Sequence, residues 1–280
     1  MKAKKYLGLK NKYIFARAKK ALGQNFLKSG TALRKIIEAG EIKKDDVILE
    51  IGPGRGALTK QLLASSCQLI AVEKDKNLYE LLKNKFQNEI SSGKLCLVHD
   101  DILDFKIESY KLSVKTYKLV ANIPYNITGA ILKKFLAGEN QPELMVLMVQ
   151  HEVARRIIAK DGKESVLSLS VKAYGKPKMI AKVDKRYFSP APKVDSAIIA
   201  IKNISRKIFS AKGGSASGGE DMGINEEKFW KIVRAGFAHK RKKLVRNLKG
   251  VCQGPSLTSL GNKRAEDLSL ADWIALCTEC

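Results

Sequence analysis

No acidic residue occurs before Glu38, although Lys2, Lys4, Lys5, Lys10, Lys12, Arg17, Lys19, Lys20, Lys28, Arg34 and Lys35 all precede it. A second acid-free run separates Glu227 from Glu266 and holds Lys228, Lys231, Arg234, Lys240, Arg241, Lys242, Lys243, Arg246 and Lys249. Both ends are therefore strongly basic, and the 52 Lys and Arg against 28 Asp and Glu leave a formal charge of +24. Charge gathered in this way points to a polyanion, nucleic acid first, rather than to an evenly solvated surface. Histidine and cysteine are scarce. His99, His151 and His239 stand apart from the five cysteines Cys67, Cys96, Cys252, Cys277 and Cys280, of which only the last two form a C-x-x-C pair. An odd, scattered set argues against a disulfide framework and for a reducing compartment, and it supplies no zinc quartet, so no metal is expected. No apolar run approaches bilayer length, and no apolar core followed by a small-residue cleavage site opens the chain. A soluble, cytoplasmic protein without a membrane partner is expected.

What is present is a repeating alternation. Short apolar runs at Val47–Ile51, Gln68–Glu73, Leu95–His99, Lys118–Asn122 and Leu144–Val149 read as buried parallel strands. Amphipathic stretches at 56–65, 78–88 and 128–137 have the spacing of the intervening crossover helices. The fold class is thus α/β, a Rossmann-like doubly wound sheet. Helical stretches at 151–159 and 166–174 follow, and runs at 179–183 and 197–201 around a Pro-containing loop predict an antiparallel hairpin at one sheet edge. The glycine- and serine-rich segment 210–223 has almost nothing to bury and predicts a flexible loop. Beyond it, Asn225 caps a helix with Phe229, Ile232, Val233 and Phe237 on one face. The division expected is a cofactor-binding domain over 1–203 with a basic N-terminal extension, and a small helical RNA-binding domain over 204–280.

The run Glu50-Ile51-Gly52-Pro53-Gly54-Arg55-Gly56 is a strand entering a glycine-rich turn, where a ligand can touch backbone, and Gly52 and Gly54 are its cofactor-binding candidates. Glu73 ends the next strand, placed to accept both hydroxyls of a ribose diol, and Asp101 follows the third strand within reach of an adenine amine. This pattern alone fits a dinucleotide such as NAD as well as S-adenosyl-L-methionine. The fourth strand discriminates, because it runs into Asn122-Ile123-Pro124-Tyr125. An adenine amine is a poor nucleophile, its lone pair being delocalised into the ring. Asn122 and a backbone carbonyl held by Pro124 can accept its two hydrogens while Tyr125 stacks on the base.

With Gly23-Gln24-Asn25-Phe26-Leu27, Glu50-Ile51-Gly52-Pro53-Gly54, Glu73, Asp100-Asp101, Asn122-Ile123-Pro124-Tyr125 and Phe188-Ser189-Pro190-Ala191-Pro192-Lys193-Val194-Asp195-Ser196 in this order, the chain from about Leu22 to Lys249 resembles the KsgA-type ribosomal RNA adenine dimethyltransferases. The resemblance implies a class I methyltransferase sheet and S-adenosyl-L-methionine as donor. It implies Asn25, Leu27, Gly52, Glu73, Asp101 and Asn122 as cofactor contacts, and Phe188 packing against a flipped adenine. It also implies dimethylation of the N6 amine of two adjacent adenosines near the 3′ end of small-subunit (16S) ribosomal RNA, in an assembling 30S particle, by a monomer. Ile123 stands where many members have Leu, and segment 210–223 is longer than usual. The rival expectations are a large-subunit (23S) ribosomal RNA adenine methyltransferase conferring antibiotic resistance, a non-catalytic ribosome assembly factor and an NAD-dependent oxidoreductase. The residues expected to grip RNA phosphates are Lys240, Arg241, Lys242, Lys243 and Arg246, crowded on about two turns of a helix whose mutual repulsion a phosphate backbone would relieve.

Overall fold

The computed structural model describes residues 18–19, 22–107, 116–209 and 223–280; the basic extension before residue 18 and nearly all of the expected flexible loop 210–223 lie outside the described residues. The apolar runs form the strands their composition predicts: β2 (Val47–Ile51), β3 (Gln68–Glu73), β4 (Leu95–His99), β5 (Lys118–Asn122) and β6 (Leu144–Gln150). The crossovers are α2 (Ala57–Ala64), α3 (Lys76–Lys85) with the short α4 (Gln87–Ser91), and α5 (Thr128–Ala137), preceded by α1 (Gly30–Ala39) ahead of the first sheet strand. Two further helices, α6 (His151–Ile158) and α7 (Val166–Lys172), lead to β7 (Lys176–Val183) and β9 (Ser196–Lys202).

The seven strands lie in the order β4-β3-β2-β5-β6-β9-β7. All pairs from β4 to β6 are parallel, and β9 alone is reversed, antiparallel to both β6 and β7. The expected hairpin is therefore present, with its second strand one place in from the edge. The edge strand β7 alternates exposed and half-buried residues, and its Lys176, Pro177, Lys178 and Lys182 discourage pairing with another chain. Strand β2 has β3 on one side and β5 on the other, so the chain reverses its direction of winding between them. That switch point opens a crevice at the carboxyl ends of β2 and β5, where an open α/β sheet binds its ligand.

At the opposite end of the sheet, Lys118 is buried, and its ammonium pairs with Asp46 at 2.6 Å and donates to the Glu41 carbonyl at 2.7 Å. This closes the base of β5 with a paired charge, the form in which a buried lysine is tolerated. After residue 223, Asn225 caps α8 (Glu226–Gly236) by accepting from the Lys228 amide, and the short α9 (Leu244–Asn247) and α10 (Pro255–Leu260) precede α11 (Leu270–Glu279). Phe229, Ile232, Val233, Trp273 and Leu276 from these helices join the same hydrophobic cluster as Leu119 and Val149 of the sheet.

Two expectations are corrected here. The basic stretch after Phe237 is not a two-turn helix: α8 ends at Gly236, residues 238–243 are exposed turns, and only Leu244–Asn247 is helical. The helix stops where Gly236 packs flush against the Trp273 ring. Likewise the cysteines, expected to form no disulfide, include one bonded pair. Cys280 is disulfide-bonded to Cys252, and Cys277 is a buried free thiol whose pKa burial pushes up to about 12.

Candidate active site

Strand β2 delivers its chain into the turn 52–56, where Gly52, Gly54 and Gly56 take φ of +61°, +61° and +75°. Only glycine adopts these values without strain. A Cβ on Gly54 would sit 3.0 Å from the Phe26 ring, and one on Gly56 2.6 Å from Phe86, so the turn is packed from behind while its backbone faces the crevice. The crevice is a cavity of about 510 Å³, within the range of small-molecule and cofactor sites. Glu73 enters it from the end of β3, nearly buried. Its Oε2 accepts from the Gly54 amide at 3.0 Å and its Oε1 from the Asp75 amide at 2.8 Å. Each oxygen keeps a lone pair, which suits the two hydroxyls of a ribose. Burial pushes the Glu73 carboxyl upward, and the two backbone donors oppose that shift.

Beneath the turn lies a second carboxyl that sequence reasoning assigned no role. Glu50 is 1% exposed and accepts the Thr59 hydroxyl at 2.8 Å, tying β2 to α2. Burial raises its pKa to about 8, against the opposing Thr59 hydrogen bond and helped by nearby Glu73, so it is a neutral acid at pH 7. At the far wall, Asp101 accepts from the Leu103 amide and pairs with Lys74 at 2.5 Å. The Lys74 ammonium holds its carboxyl below the usual carboxylate range.

The Gly23–Leu27 segment forms the near wall. Gly23 turns at φ +63°, and its carbonyl accepts from the Asn25 side-chain amide at 3.1 Å. Lys19 and Gln24 both donate to Asp75, at 2.9 and 3.0 Å, pinning the segment to the end of β3. Burial acts to raise the Asp75 pKa, but these donors and the Asn77 amide together hold it below its ordinary value. The segment ends in β1 (Phe26–Leu27), antiparallel to β8 (Phe188–Ser189).

The fourth strand completes the cavity. The Asn122 side-chain amide donates to the Asn25 backbone carbonyl at 3.1 Å, which fixes the rotamer and leaves Oδ1 without a donor among the described residues. Pro124 heads a single 3-10 turn over Tyr125–Ile127, and the Tyr125 ring stands in the cavity wall. The cavity thus brings together Asn25, Leu27, Gly52, Gly54, Glu73, Asp101, Asn122, Pro124 and Tyr125. It does not bring in Phe188. The ring is 2% exposed, seated in the core with Leu27 and Leu33 because β8 is hydrogen-bonded into a strand pair rather than left as a loop. The expected second stacking face is therefore not offered by Phe188 as placed. Ser189 reaches the cavity instead, and the neighbouring Tyr187 is exposed.

The five basic candidates lie elsewhere. Lys240, Arg241, Lys242, Lys243 and Arg246 are all exposed and form no ion pair among the described residues. Lys240 shares a groove of about 870 Å³ with His151, Arg155, Arg156 and Lys160 of the α6 region. Since α6 begins at the carboxyl end of β6, the strand beside β5, this groove starts one strand from Asn122.

The geometry fits a donor of an activated methyl group, and comparison with known proteins decides which reaction it serves. Residues 15–279 match the family described as ribosomal RNA adenine dimethylase. The chain belongs to that family. It is an S-adenosyl-L-methionine-dependent ribosomal RNA adenine dimethyltransferase, and the NAD-dependent reading is thereby overturned. Among its relatives it is 41% identical to ribosomal RNA small subunit methyltransferase A of Dehalococcoides mccartyi (strain CBDB1), covering 94% of this chain and 88% of that one. It is 38% identical to the protein of the same name from Fusobacterium nucleatum, over 92% and 96%. Among solved structures it resembles a dimethyladenosine transferase from Plasmodium falciparum with TM-score 0.73 and 26% identity, over 90% of this chain and 95% of that one. It also resembles the 23S rRNA methyltransferase ErmE with TM-score 0.69 and 25% identity, over 91% and 99%. The class I methyltransferase sheet expected for this family is the one found, and no helix of the described residues is long and apolar enough to cross a membrane.

Proposed function

We propose that this dimethyltransferase acts on two adjacent adenosines near the 3′ end of small-subunit ribosomal RNA, as a monomer on an assembling 30S particle, with Asn122, Pro124 and Tyr125 at the reacting centre. The carrying observation is the anchored Asn122 amide: one N–H of its NH2 donates to the Asn25 carbonyl, which sets the orientation of the amide and leaves Oδ1 as the acceptor it offers to a base. An adenine lying on Tyr125 would donate one amine hydrogen there and the other to a backbone carbonyl of the 123–124 turn. Those acceptors draw the amine out of conjugation and concentrate its lone pair. No strong base is needed, because when S-adenosyl-L-methionine is bound it supplies an already electrophilic sulfonium methyl, and positioning provides most of the acceleration. Glu73 would hold the donor's ribose, Asp101 its adenine amine, Gly52, Gly54, Asn25 and Leu27 its remaining surface.

Lys240, Arg241, Lys242, Lys243 and Arg246 would grip the RNA backbone. Their exposure, their freedom from ion pairs among the described residues and the place of Lys240 in the groove with Arg155, Arg156 and Lys160 support a phosphate track leading toward Asn122. The names of the relatives favour the small subunit over the large. The complete acceptor and ribose-binding set speaks against a purely structural assembly role. The test offers separated, unmethylated small and large subunits with labelled donor. Label recovered as N6,N6-dimethyladenosine in small-subunit RNA is expected; incorporation only into the large subunit would overturn the assignment.

A further inference from the structure

The motif that closes at Ser196 contains one residue for which neither the ribose site nor the amine-gripping loop accounts. Ser196 is fully buried, and its Oγ shares a hydrogen bond of 2.5 Å with the Tyr125 hydroxyl, across 71 positions of sequence. The serine is immobile for reasons visible in the sheet. It is the first residue of β9, paired with Gln150 of β6 on one side and with Val183 of β7 on the other. The preceding Asp195 accepts from the His151 amide through its carbonyl and from the Lys185 amide through its carboxylate, which also pairs with Lys182 at 2.8 Å. At its other end, Tyr125 is held through its carbonyl, which accepts the Thr128 hydroxyl at 3.0 Å. The ring is thus clamped at backbone and hydroxyl, and its face in the cavity has a fixed height and tilt.

We propose that Ser196 is a positioning residue that fixes Tyr125 for the second of the two methyl transfers to each adenosine. This rests on the dimethylation just assigned. In the first transfer the amine has two hydrogens, one for Asn122 Oδ1 and one for the backbone carbonyl, so hydrogen bonds and stacking both hold the base. The nitrogen lone pair forms the new N–C bond as the methyl C–S bond breaks. That bond's electrons stay on sulfur, and the surplus proton on nitrogen goes to solvent. The monomethylated amine then has one hydrogen left, so one of the two acceptors loses its donor, and the added methyl must be accommodated beside it. Location of the ring now depends more on the stacking surface, and a ring that can tilt loses in-line alignment in this step first. A buried serine on a rigid strand corner is a means of preventing that tilt.

The test measures the ratio of N6-methyladenosine to N6,N6-dimethyladenosine by mass spectrometry of small-subunit RNA after single-enzyme reactions with wild type, Ser196→Ala, Tyr125→Phe and the double variant. Ser196→Ala should slow the second transfer roughly ten-fold while changing the first by less than about three-fold, so that monomethyl product accumulates, and Tyr125→Phe should raise the monomethyl share to the same extent, whatever it does to the first step. The double variant should match the singles, since both delete one hydrogen bond. Compared at equal total methyl incorporation, a fold defect, which lowers both steps together, leaves the ratio where it was, and Tyr125→Phe removes the same bond without touching the sheet. A wild-type product ratio in both single variants, or additive effects in the double, would overturn the tether. If wild type forms no dimethyladenosine on any subunit, the functional reading itself falls; if wild type dimethylates and the variants do so equally, only the tether falls.

Discussion

Glu50→Gln should make the protein more stable at alkaline pH, by an amount the burial of the side chain sets. The native carboxyl titrates near 8, against 4.5 for the unperturbed group. With its native pKa raised, its contribution is fully present below about pH 4.5, where both states are protonated. It is lost as pH rises toward 8, because the unfolded chain ionises freely while the folded one must keep its proton. Within that window the slope approaches about 1.4 kcal/mol per pH unit. Allowing for the flattening near the native pKa, wild type should lose about 2 kcal/mol between pH 6 and pH 8 from this group alone. Glutamine has the same shape, can accept the Thr59 hydroxyl as Glu50 Oε2 does at 2.8 Å, and does not ionise. Urea unfolding of wild type and Glu50→Gln at both pH values isolates the difference of slopes, in which the contributions of all other groups cancel. Stability lines that stay parallel across the window would refute the claim that Glu50 is neutral in the folded protein.

Three further outcomes follow from named contacts. Asn122→Ala should abolish methyl transfer, lowering kcat at least about a hundred-fold, while RNA affinity in a filter-binding assay stays within a few-fold of wild type; unchanged turnover would remove Asn122 from the reacting centre. Gly236→Ala would place a Cβ 2.3 Å from Trp273 Cη2, inside a fully buried ring that has nowhere to go. A loss of about 3 kcal/mol is expected from such overpacking, and an unaltered thermal unfolding curve would show that the two helices can slide apart. Replacing Lys240, Arg241, Lys242, Lys243 and Arg246 together by serine should flatten the dependence of log K on log salt by as much as about 4, at roughly 0.7–0.9 per phosphate contact. An unchanged slope would place the RNA on another face.

The sheet was legible because each strand is a short apolar run bounded by residues that cannot continue it. Val47–Ile51 stops at Gly52, and Lys118–Asn122 stops before Pro124, so the run and its end are written locally. The cavity was legible for the same reason: Gly52, Gly54, Glu73, Asp101 and Asn122 sit at or just past strand ends, and parallel winding carries all such ends to one edge. What was not legible depends on contacts between distant residues. Helicity of residues 239–243 was inferred from composition, but α8 ends where Gly236 meets Trp273, a residue 37 positions later. Phe188 lay in a proline-rich segment that reads as loop, yet it is drawn into the core by pairing with Leu27, far back in the chain.

The Asn122–Asn25 hydrogen bond shows why such distant contacts matter more for chemistry than for fold. Sequence patterning could assign Asn122 to the amine and Asn25 to the donor as separate contacts, each within its own motif. In the folded chain the two are one device, because the Asn25 carbonyl takes one of the two N–H donors of Asn122 and thereby fixes the amide with its nitrogen toward that segment. A segment that must admit the methyl donor consequently also aims the acceptor. Lys19 and Gln24, by holding that segment on Asp75, bear on the amine without touching it. Asp75→Asn should therefore weaken donor binding and lower kcat together, whereas a change at Asp101 should act on donor affinity alone. Kinetics at saturating donor separate the two cases: recovery of full kcat in Asp75→Asn would mean that the segment closes the cavity without orienting Asn122.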